Sequence, residues 1–489
     1  MSAPHGASRS FPRVGARELA IALGAATAWA LVVRPGPLSL PYFWDEADVY
    51  APGARWLAEH DLDPTPGHFP DDWSRGHPPL FYWIAALAFR VLGSGPAVGH
   101  AVIVPFTALA LAATYALGAE RAGRAVGLGA AALLATSPLF LSMGAFLLPE
   151  MPLTALTVLA IWMVSRGHVG VAAMLGVAMV WTKETGVFPA LAIAGGLFVQ
   201  AARAGELRRA LRPIAISLLP LAALALFFVW QRANAGYFVF PHHQNLFSDR
   251  ALAIENAWTV VPSTFLWHGR WVATLAGIAA AIVLSVRRAW PASLRADATN
   301  VALVLLVIGN AIFFAKSFWL ERYALPAHPG VCVLIAVAIV SAASLAPRSA
   351  RALLAGAPLV IASGLGMLSL RATGTTDAPE HTFAFADVAL SHREAFARIA
   401  AAHAGALVVT TWPMTTELRE PWLGFVPSPV RAIHPDHLGD HPDWTPDVVL
   451  VDASSTNAER LRTLAREHGM ERRETIARGD APELELWSR

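Results

Sequence analysis

The chain of 489 residues is 55% hydrophobic and only 15% charged, and its mean hydropathy is +0.48. An ordinary soluble domain carries about 25% charged residues, so this composition excludes a single soluble domain and indicates many membrane-spanning helices. A net charge of +2 indicates no basic surface for nucleic acid, and the single cysteine, Cys332, excludes an intrachain disulfide and a cysteine-based metal cluster.

Eleven apolar segments approach the length of about 20 residues that a helix needs to cross a bilayer. They cover residues 17–36, 98–118, 125–144, 151–165, 168–182, 187–202, 212–230, 270–286, 299–315, 326–345 and 351–370. The first segment also resembles a signal peptide, because arginines precede it and Ala-Trp-Ala at 28–30 resembles a cleavage site. We predict an uncleaved first helix, since many further spans follow.

The basic residues predict the orientation of these spans, because Lys and Arg accumulate in cytoplasmic loops. They cluster in the N-terminus and in the loops at 121–124, 166, 203–212, 287–295 and 348–351. Eleven spans that start from a cytoplasmic N-terminus place all six segments inside. The apolar run 78–93 would reverse this pattern if it crossed the membrane, so we predict an interfacial or re-entrant helix there.

The opposite, outer face then collects the unusual polar residues of the chain. They lie in the first outer loop, 37–97, where we expect interfacial helices, and in the segments 145–150, 181–186, 231–269 and 316–326. The apolar runs stop near residue 377. Strands at 406–411, 447–453 and 483–487, the last at a sheet edge, then alternate with helices at 393–405 and 456–468. This pattern predicts a membrane domain over 1–376 and a soluble α/β domain over 377–489 on the outer side.

Asp45 and Glu46 follow three aromatic residues at the outer end of the first span. In one interpretation Asp45 caps a solvated helix at 46–60. In the other it is a general base, because a carboxylate beside aromatic walls at the mouth of a membrane cavity is a good candidate for that role. An aromatic-rich segment at 410–425 has a similar ambiguity, because it is either a packed connection or a binding loop.

Further candidates fall on the same face, each with an ordinary structural alternative. Glu150 precedes a span. Either it is an ordinary helix start, where the helix dipole favours a carboxylate, or it faces the same cavity as Asp45. Lys183 either snorkels to the interface or serves the site. Arg322, next to Tyr323, contacts lipid headgroups or binds phosphate, whose oxygens match its planar fork. The adjacent His242 and His243 are a candidate metal or substrate site, although two histidines without a third ligand are a weak metal motif.

Taken in order, these motifs resemble the GT-C membrane glycosyltransferases. The set consists of Asp-Glu after the first span, GHPPLFYW at 76–83, a single acid before a later span, and Arg-Tyr-x-x-Pro at 322–326. The branch that they resemble most is glycosyltransferase family 39, which includes protein O-mannosyltransferases and lipid A aminoarabinose transferases. The resemblance covers about residues 17–370.

The resemblance implies a polyprenyl-phosphate sugar donor that enters from the bilayer, and transfer to a lipid, glycan or protein acceptor at the outer face of the cytoplasmic membrane. It makes Asp45, with Glu46 beside it, the catalytic base, and it matches Glu150 to the acid of the second outer loop. The residues that it assigns to the donor phosphate are Arg322, Tyr323, Lys183 and His77. At the position of His77 the family often has Lys. An inverting displacement would need positively charged side chains to stabilise the leaving phosphate. No cofactor follows with certainty, and a divalent metal ion is a candidate.

Two other classes of protein fit parts of the sequence. A transporter or flippase of lipid-linked sugars would also have many helices and intramembrane charges, but the acid-rich first outer loop and the lack of an evident inverted repeat argue against it. A cell-envelope assembly protein would use the outer C-terminal domain to bind a partner.

Overall fold

The computed structural model describes residues 12–241, 243, 254–291, 297–315, 320–372, 379–441, 443–479 and 481–489. Up to residue 372 the described chain is helical. Its α-helices are α1 Ala16–Val32, α2 Ala51–Glu59, α3 Asp71–Ser74, α4 Leu80–Leu92, α5 Pro96–Ala122, α6 Arg124–Ala135, α7 Pro138–Met143, α8 Glu150–Ser165, α9 Val169–Thr182, α10 Val187–Ala204, α11 Leu207–Ser217, α12 Leu219–Ala235, α13 Ile254–Phe265, α14 Arg270–Val286, α15 Ala298–Ala315, α16 His328–Ala343 and α17 Arg348–Leu368.

Each of the eleven predicted spans coincides with helical structure. Within the described residues, six helices are long and apolar enough to cross a membrane, and a seventh results if Trp258–Phe265 and Arg270–Val286, which are bent by 85°, form one span. The helices α6, α8 and α9 are apolar but shorter, so the number eleven stays a prediction. Helix α4, which we predicted to be interfacial or re-entrant, has 13 residues and is also too short to count as a span.

Two predicted spans are divided in the structure. The segment 212–230 passes from α11 to α12 at Leu218, and the break in the other is wider. The segment 125–144 forms two helices, because α6 ends at Ala135 and α7 begins at Pro138. Proline has no amide hydrogen for the preceding turn and disfavours helical geometry in the residue before it, and Ser137 is accordingly extended. The short helix α7 therefore starts a separate, fully buried element that leads into the second outer loop.

The first outer loop begins with a wide helical turn, the π-helix Glu46–Tyr50, which continues into α2. The second residue of α2 is Pro52, which cannot donate to the carbonyl of Asp48 and crowds it. We attribute the widened turn to this proline, since π-turns relieve such conflicts and often occur at functional sites. The predicted helix at 46–60 is therefore present, with Asp45 directly before its first turn.

The C-terminal segment forms a five-stranded sheet with helices. Its elements are α18 Ala384–Ala402, β1 Leu407–Val409, α19 Met414–Arg419, β2 Arg431–Ile433, α20 Pro435–Leu438, β3 Val448–Asp452, α21 Ala458–Glu467, β4 Glu471–Ile476 and β5 Leu484–Ser488. The strand order is β2-β1-β3-β5-β4, with β1 parallel to both β2 and β3, and β5 antiparallel to β3 and β4. The prediction that β5 is an edge strand is wrong, because β5 lies between β3 and β4.

Alternate side chains of the central strands serve two different cores, as the two-residue period of a strand requires. Val449 and Val451 pack with Leu461 of α21 on one face. Val448 and Leu450 face the other way and join the large core that continues into the membrane helices. The proposed boundary between residues 376 and 377 lies outside the described residues, but the α/β unit that follows it packs firmly on the helical part.

The contact between the α/β unit and the first outer loop is intimate. The amide of Tyr42 donates to the carbonyl of Leu423 at 2.9 Å, and the ring of Phe43 stacks on Phe385 of α18 at 6.2 Å between centroids. Gly424 has a φ of +92°, and a Cβ atom there would lie 3.1 Å from Pro96 and 3.3 Å from the backbone of Pro41. The close approach of the two parts therefore depends on the absence of a side chain at residue 424.

We expect Gly424→Ala to destabilise the protein by about 1–2 kcal/mol, because alanine is strained at positive φ and its methyl group meets the first outer loop. Denaturant titration of the purified protein in micelles measures this loss. Gly439→Ala is the matched control, since Gly439 has a φ of −64° and open space around it. Equal stability of the two variants would contradict the tight docking of the α/β unit.

Candidate active site

The side chain of Arg322 is the centre of the site. It is 3% exposed, and one of its terminal nitrogens donates a hydrogen bond to the carboxylate of Asp45. Arg322 lies in the 3-10 turn Glu321–Ala327, directly before α16, whereas Asp45 lies in the first outer loop. The side chain of Asp45 makes no capping hydrogen bond to its own helix, so it is not a simple helix cap.

Two more carboxylates surround the same guanidinium group. Its other terminal nitrogen donates to both oxygens of Glu380, at 2.8 and 2.7 Å, and its Nε lies 3.6 Å from Glu150. The ammonium group of Lys183 donates to Glu150 at 2.6 Å and lies 4.4 Å from the centre of the Tyr323 ring. Asp45, Glu150, Lys183, Arg322, Tyr323 and Glu380 are called the Arg322 cluster below.

Some polar atoms of the Arg322 cluster lack partners. Arg322 Nε and Glu150 Oε2 are buried and make no hydrogen bond with the described protein. Leaving such atoms unpaired is costly, and binding sites are where proteins tolerate this cost. The Arg322 cluster therefore has hydrogen-bonding capacity left on one cation and on one carboxylate.

All members of the Arg322 cluster stand at the ends of helices. Glu150 is the first residue of α8, Lys183 directly follows α9, and Arg322 precedes α16. Glu380 belongs to the 3-10 turn Pro379–His381 that enters the α/β unit. These helix ends meet at one place in the fold, and the common outer membrane face that the sequence predicted for all of these residues except Glu380 stays a prediction.

The two carboxyl groups outside the membrane helices differ in acidity. Burial acts to raise the pKa of Asp45, but the charge and the hydrogen bond of Arg322 outweigh it and hold the pKa below its ordinary value. Burial of Glu380 raises its pKa above the ordinary value in spite of the same guanidinium group. Asp45 is therefore the carboxylate that stays ionised, whereas Glu380 is the one that protonates more readily.

Glu380 is the cluster residue that the sequence did not suggest. It lies in a short polar stretch just beyond the last apolar run, which was the available signal. Its backbone is fixed by Ser142 of α7, whose hydroxyl donates to the carbonyls of Glu380 and Thr382. The pairing with Arg322 joins residues 58 positions apart, and local sequence patterns do not encode such a contact.

His77 lies beside the Arg322 cluster rather than in it. Its Nδ1 is 3.0 Å from Glu184, the neighbour of Lys183, and its ring lies 5.0 Å from that of His243. His242 lies outside the described residues. Across the described chain, no group of three or more His, Cys, Asp or Glu side chains is arranged to hold a metal ion. The acidic groups of the Arg322 cluster are instead occupied by Arg322 and Lys183.

Glu46 points away from Asp45 and into the protein. It is 1% exposed, lies 2.9 Å from Nε2 of His100, and accepts hydrogen bonds from the amides of Phe43 and Leu147. These contacts tie the first outer loop to the second outer loop and to α5. The structure therefore does not bring Glu46 into the Arg322 cluster, although the sequence paired it with Asp45 as a catalytic residue.

Comparisons with known proteins bear on the fold of the chain. Residues 76–231 match the family model of dolichyl-phosphate-mannose-protein mannosyltransferases. ArnT from Cupriavidus metallidurans, solved bound to undecaprenyl phosphate, superposes with a TM-score of 0.57 over 96% of this chain and 98% of its own, at 13% identity. The chain therefore shares the fold of ArnT over almost its whole length.

This chain has the GT-C fold. The oligosaccharyltransferase of Archaeoglobus fulgidus shares it with a TM-score of 0.52, 12% identity and coverage of 91% of this chain and 71% of that one. The mycobacterial arabinofuranosyltransferase AftD matches 99% of this chain but 40% of its own length, with a TM-score of 0.50 and 17% identity. A search of curated protein sequences found no match. The resemblance to GT-C glycosyltransferases is confirmed, and the chain is a multi-pass membrane protein.

We expect Glu46→Gln to lower the free energy of unfolding by about 3 kcal/mol, because the substitution breaks a buried pair and leaves Nε2 of His100 without its carboxylate partner. Denaturant titration in micelles measures the loss. Glu59→Gln is the control and should change stability by less than about 0.5 kcal/mol, since that side chain is 55% exposed. Unchanged stability together with lost catalysis would show that Glu46 acts in the reaction instead.

Proposed function

We propose that the protein is a membrane glycosyltransferase that moves a sugar from a polyprenyl-phosphate donor to an acceptor at the outer face of the cytoplasmic membrane. The observation that carries this proposal is the Arg322 cluster, in which an ionised Asp45 is bonded to a buried guanidinium group beside Lys183. A one-step sugar transfer requires a base for the acceptor and cations for the leaving phosphate, and the Arg322 cluster holds both kinds of group. The undecaprenyl phosphate bound to ArnT, which shares the fold, supports a lipid-phosphate donor.

In the proposed reaction, a hydroxyl group of the acceptor gives its proton to Asp45 as its oxygen attacks the anomeric carbon. The bond between that carbon and the phosphate oxygen breaks, the electron pair stays on the phosphate, and the sugar configuration inverts. Arg322 and Lys183 would stabilise the negative charge of the leaving lipid phosphate, with Tyr323 as the ring against which Lys183 rests. Glu150 would position Lys183 and the acceptor.

Donor binding would also prepare the base. Before the donor arrives, Arg322 bonds to Asp45 and keeps its pKa low, which makes it a weak base. A phosphate group competes for the same guanidinium nitrogens, because bidentate contact with phosphate is strong. Asp45 would then lose part of its stabilisation, its pKa would rise, and it would accept a proton more readily.

A transporter or flippase of lipid-linked sugars remains the alternative. It would need the same cationic surface for a lipid phosphate, but it gives no role to an ionised Asp45 at that surface. The two functions therefore differ in what a change of Asp45 does.

We expect Asp45→Asn to lower the rate of sugar transfer by about 10²–10⁴-fold, because asparagine cannot accept the proton. The assay uses the full chain in nanodiscs, labelled undecaprenyl-phosphate sugars, and a cell-envelope extract as the acceptor source. Asp61→Asn is the control, since Asp61 lies in the same outer loop with its side chain 99% exposed. Full transfer by Asp45→Asn would contradict the assignment of Asp45 as the base. If the natural chain moved the lipid across the membrane without any sugar transfer, the result would favour the flippase.

The proposed orientation predicts the labelling of two engineered cysteines. In a Cys332→Ser background, Thr456→Cys of the α/β unit should react with a membrane-impermeant maleimide in intact cells. Glu206→Cys, between α10 and α11, should react after the membrane is opened. Both positions are exposed, so access alone decides the result. The reverse pattern would place the Arg322 cluster at the cytoplasmic face.

A further inference from the structure

A row of side chains leads from the Arg322 cluster to the solvent. Lys183 and Arg322 are 7% and 3% exposed, Asp45 is 27% exposed, and Asp48, three residues further on, is 32% exposed. Arg75 follows at 36%, with its guanidinium group 2.9 Å from Asp48. The row therefore has a buried end that carries two cations and a solvent-exposed end beyond Asp45.

Two tryptophans flank the open end of the row. Trp412 of the α/β unit is 41% exposed, and its ring meets that of Trp44 edge-on, with 5.1 Å between centroids and 70° between planes. Burial raises the pKa of Asp48 above its ordinary value, and a hydrogen bond from the Trp412 side chain acts in the opposite direction. Trp412 thus leaves a large part of its indole surface open beside Asp48.

The backbone at this point is also strained. Trp44 has a φ of +58°, a conformation that residues with a bulky side chain seldom adopt. It immediately precedes Asp45, and its neighbour Phe43 is anchored in the core against Phe385. Such strain is typical of functional sites, where it holds a side chain in an otherwise unfavourable position.

We propose that Trp412 and Trp44, with Asp48 and Arg75, form the acceptor subsite and that the acceptor is a saccharide. This inference rests on the proposed function and names its substrate class. In an inverting transfer the acceptor approaches from the side opposite the leaving phosphate. Because Arg322 and Lys183 occupy one side of Asp45, the acceptor side is the open end of the row.

The chemistry of the four side chains suits a sugar ring. An indole face packs against the C–H face of a pyranose or furanose ring. The Asp48 carboxylate can accept hydrogen bonds from the hydroxyl groups of the ring, and the Arg75 guanidinium group can donate to them. An extended peptide would instead need a row of backbone hydrogen-bond partners, as in strand addition. The α/β unit thereby becomes part of the substrate site, because it supplies Trp412.

The experiment measures binding without requiring the reaction. The full chain is placed in lipid nanodiscs, which avoids detergents with sugar headgroups, and methyl mannoside, glucoside, galactoside and arabinoside are tested by saturation-transfer difference NMR. Binding of undecaprenyl phosphate is measured in parallel by native mass spectrometry. We expect at least one glycoside to bind the natural chain, and Trp412→Ala to lower its signal about five- to ten-fold.

The controls separate a local effect from unfolding and from failure of the proposed function. Trp412→Phe should keep about half of the signal, because an aromatic face remains. Trp444→Ala should keep all of it, since Trp444 is a similarly exposed tryptophan of the α/β unit that stacks on His441. No glycoside signal, or an unchanged signal in Trp412→Ala, would overturn the subsite. If the natural chain binds a glycoside but not undecaprenyl phosphate, the proposed donor is contradicted and the saccharide subsite is not.

Discussion

The structure depends most on the burial of one guanidinium group, that of Arg322. A charge that is 3% exposed must be compensated inside the protein, because its transfer out of water costs several kcal/mol. The compensating carboxylates come from three distant segments: Asp45 from the first outer loop, Glu150 from the start of α8, and Glu380 from the entry to the α/β unit. One side chain thus fixes how these segments meet.

The same compensation bears on the proposed chemistry. A guanidinium group that is already held by carboxylates is rigid and correctly oriented before a phosphate arrives, which lowers the reorganisation needed for transfer. Because three carboxylates share Arg322 and Lys183, the free site carries an excess of negative charge. An incoming phosphate must therefore displace one of them, and Asp45, the most exposed of the three, is the one that can move towards an acceptor.

The α/β unit packs against the proposed site, which the partner-binding interpretation of the sequence did not require. It contributes Glu380 to the Arg322 cluster and Trp412 to the open end beside Asp45, and its core is continuous with that of the membrane helices. Glu46 shows the opposite change, from a proposed catalytic partner of Asp45 to one half of a buried pair with His100. Adjacent carboxylates therefore serve different purposes, since successive residues of a helical turn point in different directions.

The sequence by itself located the apolar helical segments and five members of the Arg322 cluster, because hydropathy and short motifs are local properties of a chain. It also located three of the five strands. It missed β2, which has three residues, and β4, whose charged and exposed pattern does not resemble a buried strand. The tertiary structure alone decided that Glu380 completes the cluster, that Glu46 leaves it, and that Trp412 reaches Asp48. The physical reason is that each of these contacts joins residues far apart in the chain, whose meeting is settled by how buried charges and apolar faces find partners across the whole fold.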